Sequence, residues 1–539
     1  MPVLQYGPSV GTTLSDRKEI MSIHQSAQAA TVPDARRLRA ILIAVSTALM
    51  AVIASVSGLN VAQTHLAVEW GASQTTVLWI INVYTLALAA LLLPLGAIGD
   101  RLGRRPMLIA GLVVFGAAGV VSGLAPSAAV MIGARVAAGV GAAMIMPITL
   151  AVITSTFPEE ERGRAIGVWT GVAGGGGILG MFLSALLVDV AHWRWLFVLP
   201  VALAVVALAM TARSVPDSRE RSAHAFDTVG ALLSAVAVIG LIFVLQEGPE
   251  RGWTDPVTLV GLVAGLAAAV AFVAWELRRR DASLLDVRLF RERGLAGGSI
   301  TLLVVFGVQA GVAVVLFPFF QAVLGWSGLV STVAMLPMAG TMMAASGLAP
   351  RLAATIGARA TMAAGVALAG LGLVLMALLV SVDGGYPPVL AGLLAMGVGM
   401  GLSMTPSTEA ITGSLPRAEQ GVASALNDVT RELGTALGVA VLGALLANGY
   451  RGAIDGRLDG VPAGAAGIAR EGVANAVEVA AATGGHARAL IDAAQQAFVE
   501  GWRQSMWIGA AVMGVLLVYV ALRGPGSTSR GSIRPPWRR

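Results

Sequence analysis

Apolar runs of about twenty residues recur along the whole chain, at 40–62, 75–98, 107–124, 128–150, from Gly163 onward, and at 194–211, 228–246, 256–277, 295–320, 329–350, 358–380, 388–412, 421–446 and 503–523. As helices rising about 1.5 Å per residue, such runs match a hydrocarbon core about 30 Å thick. The pattern predicts an all-α integral membrane protein with 14 transmembrane helices. Most polar stretches between the runs are short, which forces successive helices to lie antiparallel. The longest, 447–502, is rich in Ala and Gly with balanced charge, and is expected outside the cell as short helices.

Charge gives the orientation. Arg36, Arg37 and Arg39 precede the first run, and Arg101, Arg104 and Arg105 lie between the second and third. Arg278, Arg279 and Arg280 follow the eighth. With fourteen spans, the arginines at 288, 291, 293, 351, 359, 417 and 523 also fall on that one side, which the excess of arginine marks as cytoplasmic. Both termini are then cytoplasmic. The expected organisation is a cytoplasmic N-terminal tail (1–39), a six-helix bundle (40–213), a linker with a two-helix hairpin (214–294), a second six-helix bundle (295–523) and a cytoplasmic tail (524–539). Residues 1–38 have no apolar core of the signal-peptide kind. The second half repeats the first weakly: L-A-P-R-L at 348–352 stands where I-G-D-R-L stands at 98–102, as expected of transporters with related halves.

Composition changes the picture mainly by exclusion. The chain is 56% hydrophobic and 12% charged, with mean hydropathy +0.79, whereas a soluble domain carries about twice that charge. The net charge of +6 rests on arginine, since Lys18 is the single lysine, and it collects in short loops, which argues for topology and against nucleic-acid binding. Such an Ala-, Gly- and Arg-rich chain suggests a high-GC bacterial gene. Without cysteine there are no disulfides or thiolate sites. Lys18 has no glycine-rich context, so a P-loop is excluded, and H-E-x-x-H and G-x-S-x-G are absent. Histidines 24, 65, 192, 224 and 486 show no metal-ligand spacing. No enzyme activity, cofactor or metal is expected.

Polar residues inside the runs are the candidates for function. The first span has no acid; its polar positions include Ser55 and Asn60. Trp79, Asn82 and Tyr84 open the second span, either as interface markers or as lining of a cavity. Arg135 lies two turns inside the fourth, where an unpaired charge costs about 2.5–3.5 kcal/mol, unless it snorkels to the outer interface. In the fifth, Gly167, Gly171 and Gly175 form one stripe of small residues and Gly176, Gly180 and Ser184 another, a spacing that lets backbones touch. In the thirteenth, Asp428, Arg431 and Glu432 share one face by their i, i+3, i+4 spacing. Two acids and one base at membrane depth suit a proton carrier, or else a structural ion pair. Glu409, near the end of the twelfth span, is a further candidate, with simple solvation as the alternative.

The stretch G-A-I-G-D-R-L-G-R-R-P-M-L at 96–108 resembles the loop between the second and third helices of the major facilitator superfamily. The resemblance implies that Gly96, Asp100, Arg101, Gly103, Arg104 and Arg105 form a cytoplasmic latch in which the Asp and the first Arg hold the two halves together. R-V-A-A-G-V-G-A-A at 135–143 resembles a second superfamily motif, whose Arg faces the central cavity and takes part in proton transfer. The hairpin between two six-helix bundles, and L-L-D-V-R-L-F at 284–290, look like the fourteen-helix drug:proton antiporters. Two departures stand out. Those antiporters usually carry L-D-x-T-x-x-N-V-A in the first helix, and Ser55 stands where their Asp would be. Their G-P-x-x-G-G in the fifth helix is here G-M-F-L-S-A at 180–185, so Gly171, Gly175, Gly176 and Gly180 remain without the proline. The resemblance implies the major facilitator fold and proton-driven efflux of lipophilic drugs or antibiotics, conferring multidrug or antibiotic resistance. The antibiotic-producer self-resistance branch comes to mind from the composition. The implied partners are a lipophilic small molecule, protons and membrane lipid, with no nucleic acid; the chain is expected as a monomer in the inner (plasma) membrane. The alternatives are proton-coupled uptake of a small metabolite and a non-transporting membrane receptor.

Because the chain has no native cysteine, the topology can be checked with single introduced thiols. Ala463→Cys should react with an impermeant reagent added to intact cells and Ser218→Cys should not; the reverse pattern would overturn the fourteen-span orientation.

Overall fold

In a computed structural model, residues 34–59, 66, 69–218, 226–279, 283–458, 461–480 and 487–525 are described. Asn60, residues 1–33 and 526–539 of the tails, and histidines 24, 65, 224 and 486 lie outside the described residues. Among the described residues every regular element is helical, and fourteen helices are long and apolar enough to cross a membrane. This is a multi-pass membrane protein. The helices are α1 (Ala35–Gly58), α2 (Gln74–Leu102), α3 (Arg104–Gly123), α4 (Ala128–Thr156), α5 (Glu159–Val190), α6 (Val198–Ser214), α7 (Thr228–Arg251), α8 (Pro256–Arg278), α9 (Arg293–Pro318), α10 (Gly328–Ile356), α11 (Ala358–Leu379), α12 (Pro387–Gly413), α13 (Gln420–Ile454) and α14 (Ala487–Arg523).

Local chemistry accounts for many boundaries. Ser73, Ser127 and Ser327 cap α2, α4 and α10 by accepting a backbone N–H two or three residues on, and Asp227 and Asp255 do so for α7 and α8. The turns after α2 and α10 pivot on Gly103 and Gly357, at φ +110° and +90°, where a side chain would be strained. The matching glycines support the internal repeat, although α10 runs one turn further past Pro350 than α2 runs past Asp100. Residues 463–469 and 473–480 are short helices, as expected of the long connection. That connection is itself shorter than its polar composition suggests. α13 continues to Ile454 and α14 begins at Ala487, because the amphipathic 487–502 segment buries Leu490, Ala494, Ala497 and Phe498.

Helices α1–α6 pack into one bundle and α9–α14 into another, while α7 joins the hairpin to α2 and α13 and leaves α8 on the periphery. Two seams join the bundles: α2 and α4 against α13, and α5 against α10 and α12. The fifth-helix stripes divide this labour. A Cβ on Gly167 would lie 2.6 Å from the Ser346 carbonyl oxygen, and Gly171 and Gly175 face Met343 of the same α10. Gly176 and Gly180 instead face Met50 and Ala54 of α1. One stripe therefore mates the bundles and the other fixes α5 within its own.

A side chain at the first stripe must push the bundles apart, an overpacking cost of about 1–3 kcal/mol. Gly167→Val should lower the thermal midpoint in detergent by several degrees, while Gly347→Ala, on α10 with nothing within 4 Å of a new Cβ, should not change it. Equal effects would show that the α5–α10 contact contributes nothing specific.

Candidate functional site

At the arginine-rich end of the first seam, Asp100 in the last turn of α2 is 5% exposed. Its carboxylate accepts from the Gly421 N–H at 2.8 and 3.0 Å and from the Val422 N–H at 3.3 Å. These amides open α13, where no intrahelical acceptor exists, and a negative group there also complements the helix dipole. A residue of one bundle thus caps a helix of the other. Gly96 makes the approach possible, since a Cβ there would lie 2.6 Å from the Gly421 carbonyl oxygen.

Arg104 completes the arrangement. It donates to Asp100 at 2.9 and 3.2 Å and to the Arg417 carbonyl at 3.1 Å, and it is 1% exposed. The resemblance implies a latch role for Arg101, the first arginine of the motif, as well as for Asp100, but the arginine on Asp100 is Arg104. Arg101 instead lies over the Phe226 ring at 5.4 Å, and Arg105 donates to the Ala212 carbonyl at 2.5 Å. The reason is geometric: adjacent residues of a helix point about 100° apart, whereas the turn at Gly103 brings Arg104 back onto the Asp100 face.

The second seam has no such carboxylate; Pro350 of α10 packs there on Gly163 and Gly167. Glu409 of α12 reaches the same place from the side, and a Cβ on Gly163 would lie 2.7 Å from its Oε1. That oxygen is buried without a hydrogen-bond partner, and Arg162 is its electrostatic neighbour. Glu409 is half-buried as a whole, with that oxygen turned inward. Thr170 and Thr405 hydrogen-bond across this seam at 2.7 Å.

Deeper in, the charged residues of α13 and α4 lie at similar depth, about 18 Å from the start of α13 for Glu432 and about 10 Å from the opposite end for Arg135. Asp428 is fully buried, and its Oδ1 accepts from Arg431 and from Asn427, each at 3.3 Å. The Arg431 guanidinium lies over Phe306 of α9 at 4.4 Å and Trp169 of α5 at 5.5 Å, and donates to the Ala173 carbonyl at 3.4 Å. It thus spans both bundles. Glu432 is half-buried.

Arg135 is 1% exposed and does not snorkel. It donates to Ser55 Oγ at 2.9 Å and the Ile80 carbonyl at 3.4 Å, and lies 4.1 Å from the centre of the Tyr84 ring. Tyr84 donates to the Val52 carbonyl and interacts electrostatically with both Arg135 and Glu432. Arg135, expected as the positive partner of Asp428 or Glu432, is hydrogen-bonded within its own bundle, and Tyr84 lies near both it and Glu432. Asn82 is half-buried on the same helix, whereas Trp79 stacks toward Phe243 of α7, 6.2 Å away, and so faces the hairpin.

Arg135 Nη2, Arg431 Nε, Asp428 Oδ2 and Asn427 Oδ1 are buried without a hydrogen-bond partner. A set with unmatched donors and acceptors can take up a proton or a ligand's polar group. Sequence reasoning missed Arg162, Trp169 and the amides of Gly421 and Val422, which carry no local signal and are brought in by the packing of α5 and α2 on the second bundle; it also missed Asn427, which its place beside Asp428 on α13 could have flagged.

The Major Facilitator Superfamily sequence model matches residues 43–439. The chain is 33% identical over 407 residues to the multidrug resistance protein Stp of Mycobacterium tuberculosis, covering 75% of each. It is 31% identical over 441 residues to the puromycin resistance protein pur8 of Streptomyces alboniger, covering 80% of this chain and 86% of that one. In structure it is similar to the proton:xylose symporter XylE, with a TM-score of 0.56 at 15% identity over 91% of this chain and 97% of that one.

Asp100→Asn keeps the shape of the cap and removes its charge, which should weaken the closed seam by about 1–3 kcal/mol. Spin labels on Leu102→Cys and Ala418→Cys should give a short, narrow distance distribution in the parent and a longer, broader one in the variant, with insertion unchanged. An unaltered distribution would remove Asp100 from closing the seam.

Proposed function

The chain belongs to the major facilitator superfamily, and from that premise we propose that it is a proton-driven exporter of lipophilic drugs or antibiotics, working by alternating access and conferring resistance on its host. The names of its relatives support the efflux direction. The observation that carries the proton coupling is the set at mid-depth between the bundles: two carboxylates, Asp428 and Glu432, share one arginine on a helix that contacts both halves. With both ionised the set carries one net negative charge. Such a charge in a bilayer favours either a proton or a cationic substrate, and competition between the two couples their movements.

The half-buried Glu432 is the exchanging acid, and Asp428, closed in by Arg431 and Asn427, positions that arginine. Arg135 and Tyr84 present a positive group opposite Glu432. In the first helix, Ser55 receives the Arg135 hydrogen bond in the place the related antiporters give to Asp, so the proton is carried by the second bundle. The arginine-rich face is cytoplasmic in this reading, the protein sits in the plasma membrane with both termini inside, and the Asp100 cap closes that side while substrate leaves by the other. Breaking the two seams at that end and closing the opposite one reverses access, as rigid rocking of one bundle on the other requires.

Glu432→Gln should leave substrate exchange intact while abolishing accumulation in vesicles against a gradient, and Asp428→Asn should reduce both. Ser55→Asp places an acid beside Arg135 and should partly restore pumping to Glu432→Gln. If the Asp428/Glu432 double neutralisation still pumps in proteoliposomes with an imposed proton gradient, the proton site is elsewhere, with Glu409 next in line. Accumulation with the gradient reversed would mean uptake.

A further inference from the structure

The hairpin leaves a pocket of about 460 Å³ on the arginine-rich half of the molecule, on the hairpin side of the α2–α13 seam. It is lined by Leu93 of α2, Leu426 of α13, Val273 and Leu277 of α8, and the arginines 288 and 291 of the linker leading to α9. Three separate bodies, the two bundles and the hairpin, therefore each contribute a wall. The volume is within the roughly 300–1,000 Å³ of small-ligand sites. The lining is apolar except for the two arginines, and no acid belongs to it. On the α8 side it opens onto the surface that faces the bilayer, where Val270, Val273 and Leu277 are all exposed.

Its floor is held in place by a polar cluster. Asp227, 2% exposed, accepts from Trp275 Nε1 and from Arg279, both at 3.0 Å, and Glu276 accepts from the Leu285 N–H at 3.5 Å. Asp286 accepts from the Arg288 N–H at 3.0 Å, and Arg288 donates to the Leu277 carbonyl at 2.7 Å. The linker is thus bonded to the end of α8 and its arginines are presented at the pocket rim, with Arg291 exposed.

We propose that this pocket binds one anionic phospholipid, its acyl chain between α8 and the α2–α13 seam and its phosphate on Arg288 and Arg291. Charge complementarity selects the class: a basic rim above an apolar slot at the membrane boundary fits a negatively charged headgroup with a hydrocarbon tail. The position selects the effect. Leu93 lies one turn from Gly96, and Leu426 one turn from Gly421 and Val422, the residues through which Asp100 closes the seam. Opening that seam moves the two leucines apart and dismantles the pocket. A lipid that fits only the assembled pocket therefore favours the closed seam, by its difference in affinity between the two states.

The test uses the full-length protein in nanodiscs of phosphatidylcholine with and without phosphatidylglycerol. Native mass spectrometry reads bound lipid, and the Leu102→Cys/Ala418→Cys spin-label pair reads the seam. Retained phosphatidylglycerol should exceed phosphatidylcholine by about thirtyfold, the scale of two arginine contacts to a headgroup, and its presence should raise the short-distance population. Arg291→Glu and the pocket-filling Val273→Trp, changed from the bilayer side and remote from the helix core, should each lose both effects; Arg293→Gln, on the same linker but outside the lining, should keep them. Soluble glycerol phosphate should not compete. Equal retention of both lipids, equal loss with Arg293→Gln, or competition by glycerol phosphate would each overturn the proposal. Neither readout requires transport, so the result stands apart from the assignment of substrate and proton.

Discussion

Asp100 accepting the free amides of α13 is the interaction on which the rest of the structure depends. In hydrocarbon, a helix end must find its partners within the protein, because water is not there to supply them. The first bundle supplies them to the second, so the two bundles are joined at that end by a bond that is electrostatic and local. A contact of a few charge-assisted hydrogen bonds is strong enough to define a closed state and weak enough to break. Gly96, Gly421 and Gly103 exist around it for steric reasons, and Arg104 neutralises a carboxylate that would otherwise be buried with amide donors alone.

The rest of the bundle interface follows a different rule. Between helices in lipid the hydrophobic effect has no purchase, so close packing and hydrogen bonds must hold them. The seam of α5 with α10 and α12 does this with glycines against Met343 and Ser346 of α10 and one threonine pair to α12. These contacts can slide or part with little penalty, whereas every embedded charge needs a partner at all times. The charged residues accordingly meet at the seams: Arg431 reaches from α13 to the Ala173 carbonyl of α5, and Glu409 from α12 to the start of α5. The groups proposed to move a proton therefore lie where the bundles meet.

The hairpin extends this logic sideways. Because α7 packs on both α2 and α13, whatever occupies the space between α8 and that seam is in mechanical contact with the Asp100 cap. The buried Asp227 and Glu276 make the hairpin foot rigid, so the linker is a fixed wall rather than a slack connection.

The sequence by itself determined the number of spans, their order, the pairing of the hairpin and the identity of nearly every charged residue at depth, because burial in lipid imposes a minimum apolar length and makes each exception conspicuous. It also determined that Asp428 and Arg431 would meet, since they are one turn apart on one helix. What it could not determine was which residues meet across helices. Arg104 holds Asp100, Tyr84 lies near both Arg135 and Glu432, Trp79 faces the hairpin, and Glu409 turns one buried oxygen to the start of α5. Each of these follows from the rotation and offset of one helix against another, and those are fixed by where glycines in distant segments allow two backbones to touch. Periodicity along the chain carries no record of that contact; only the folded arrangement of the two bundles does.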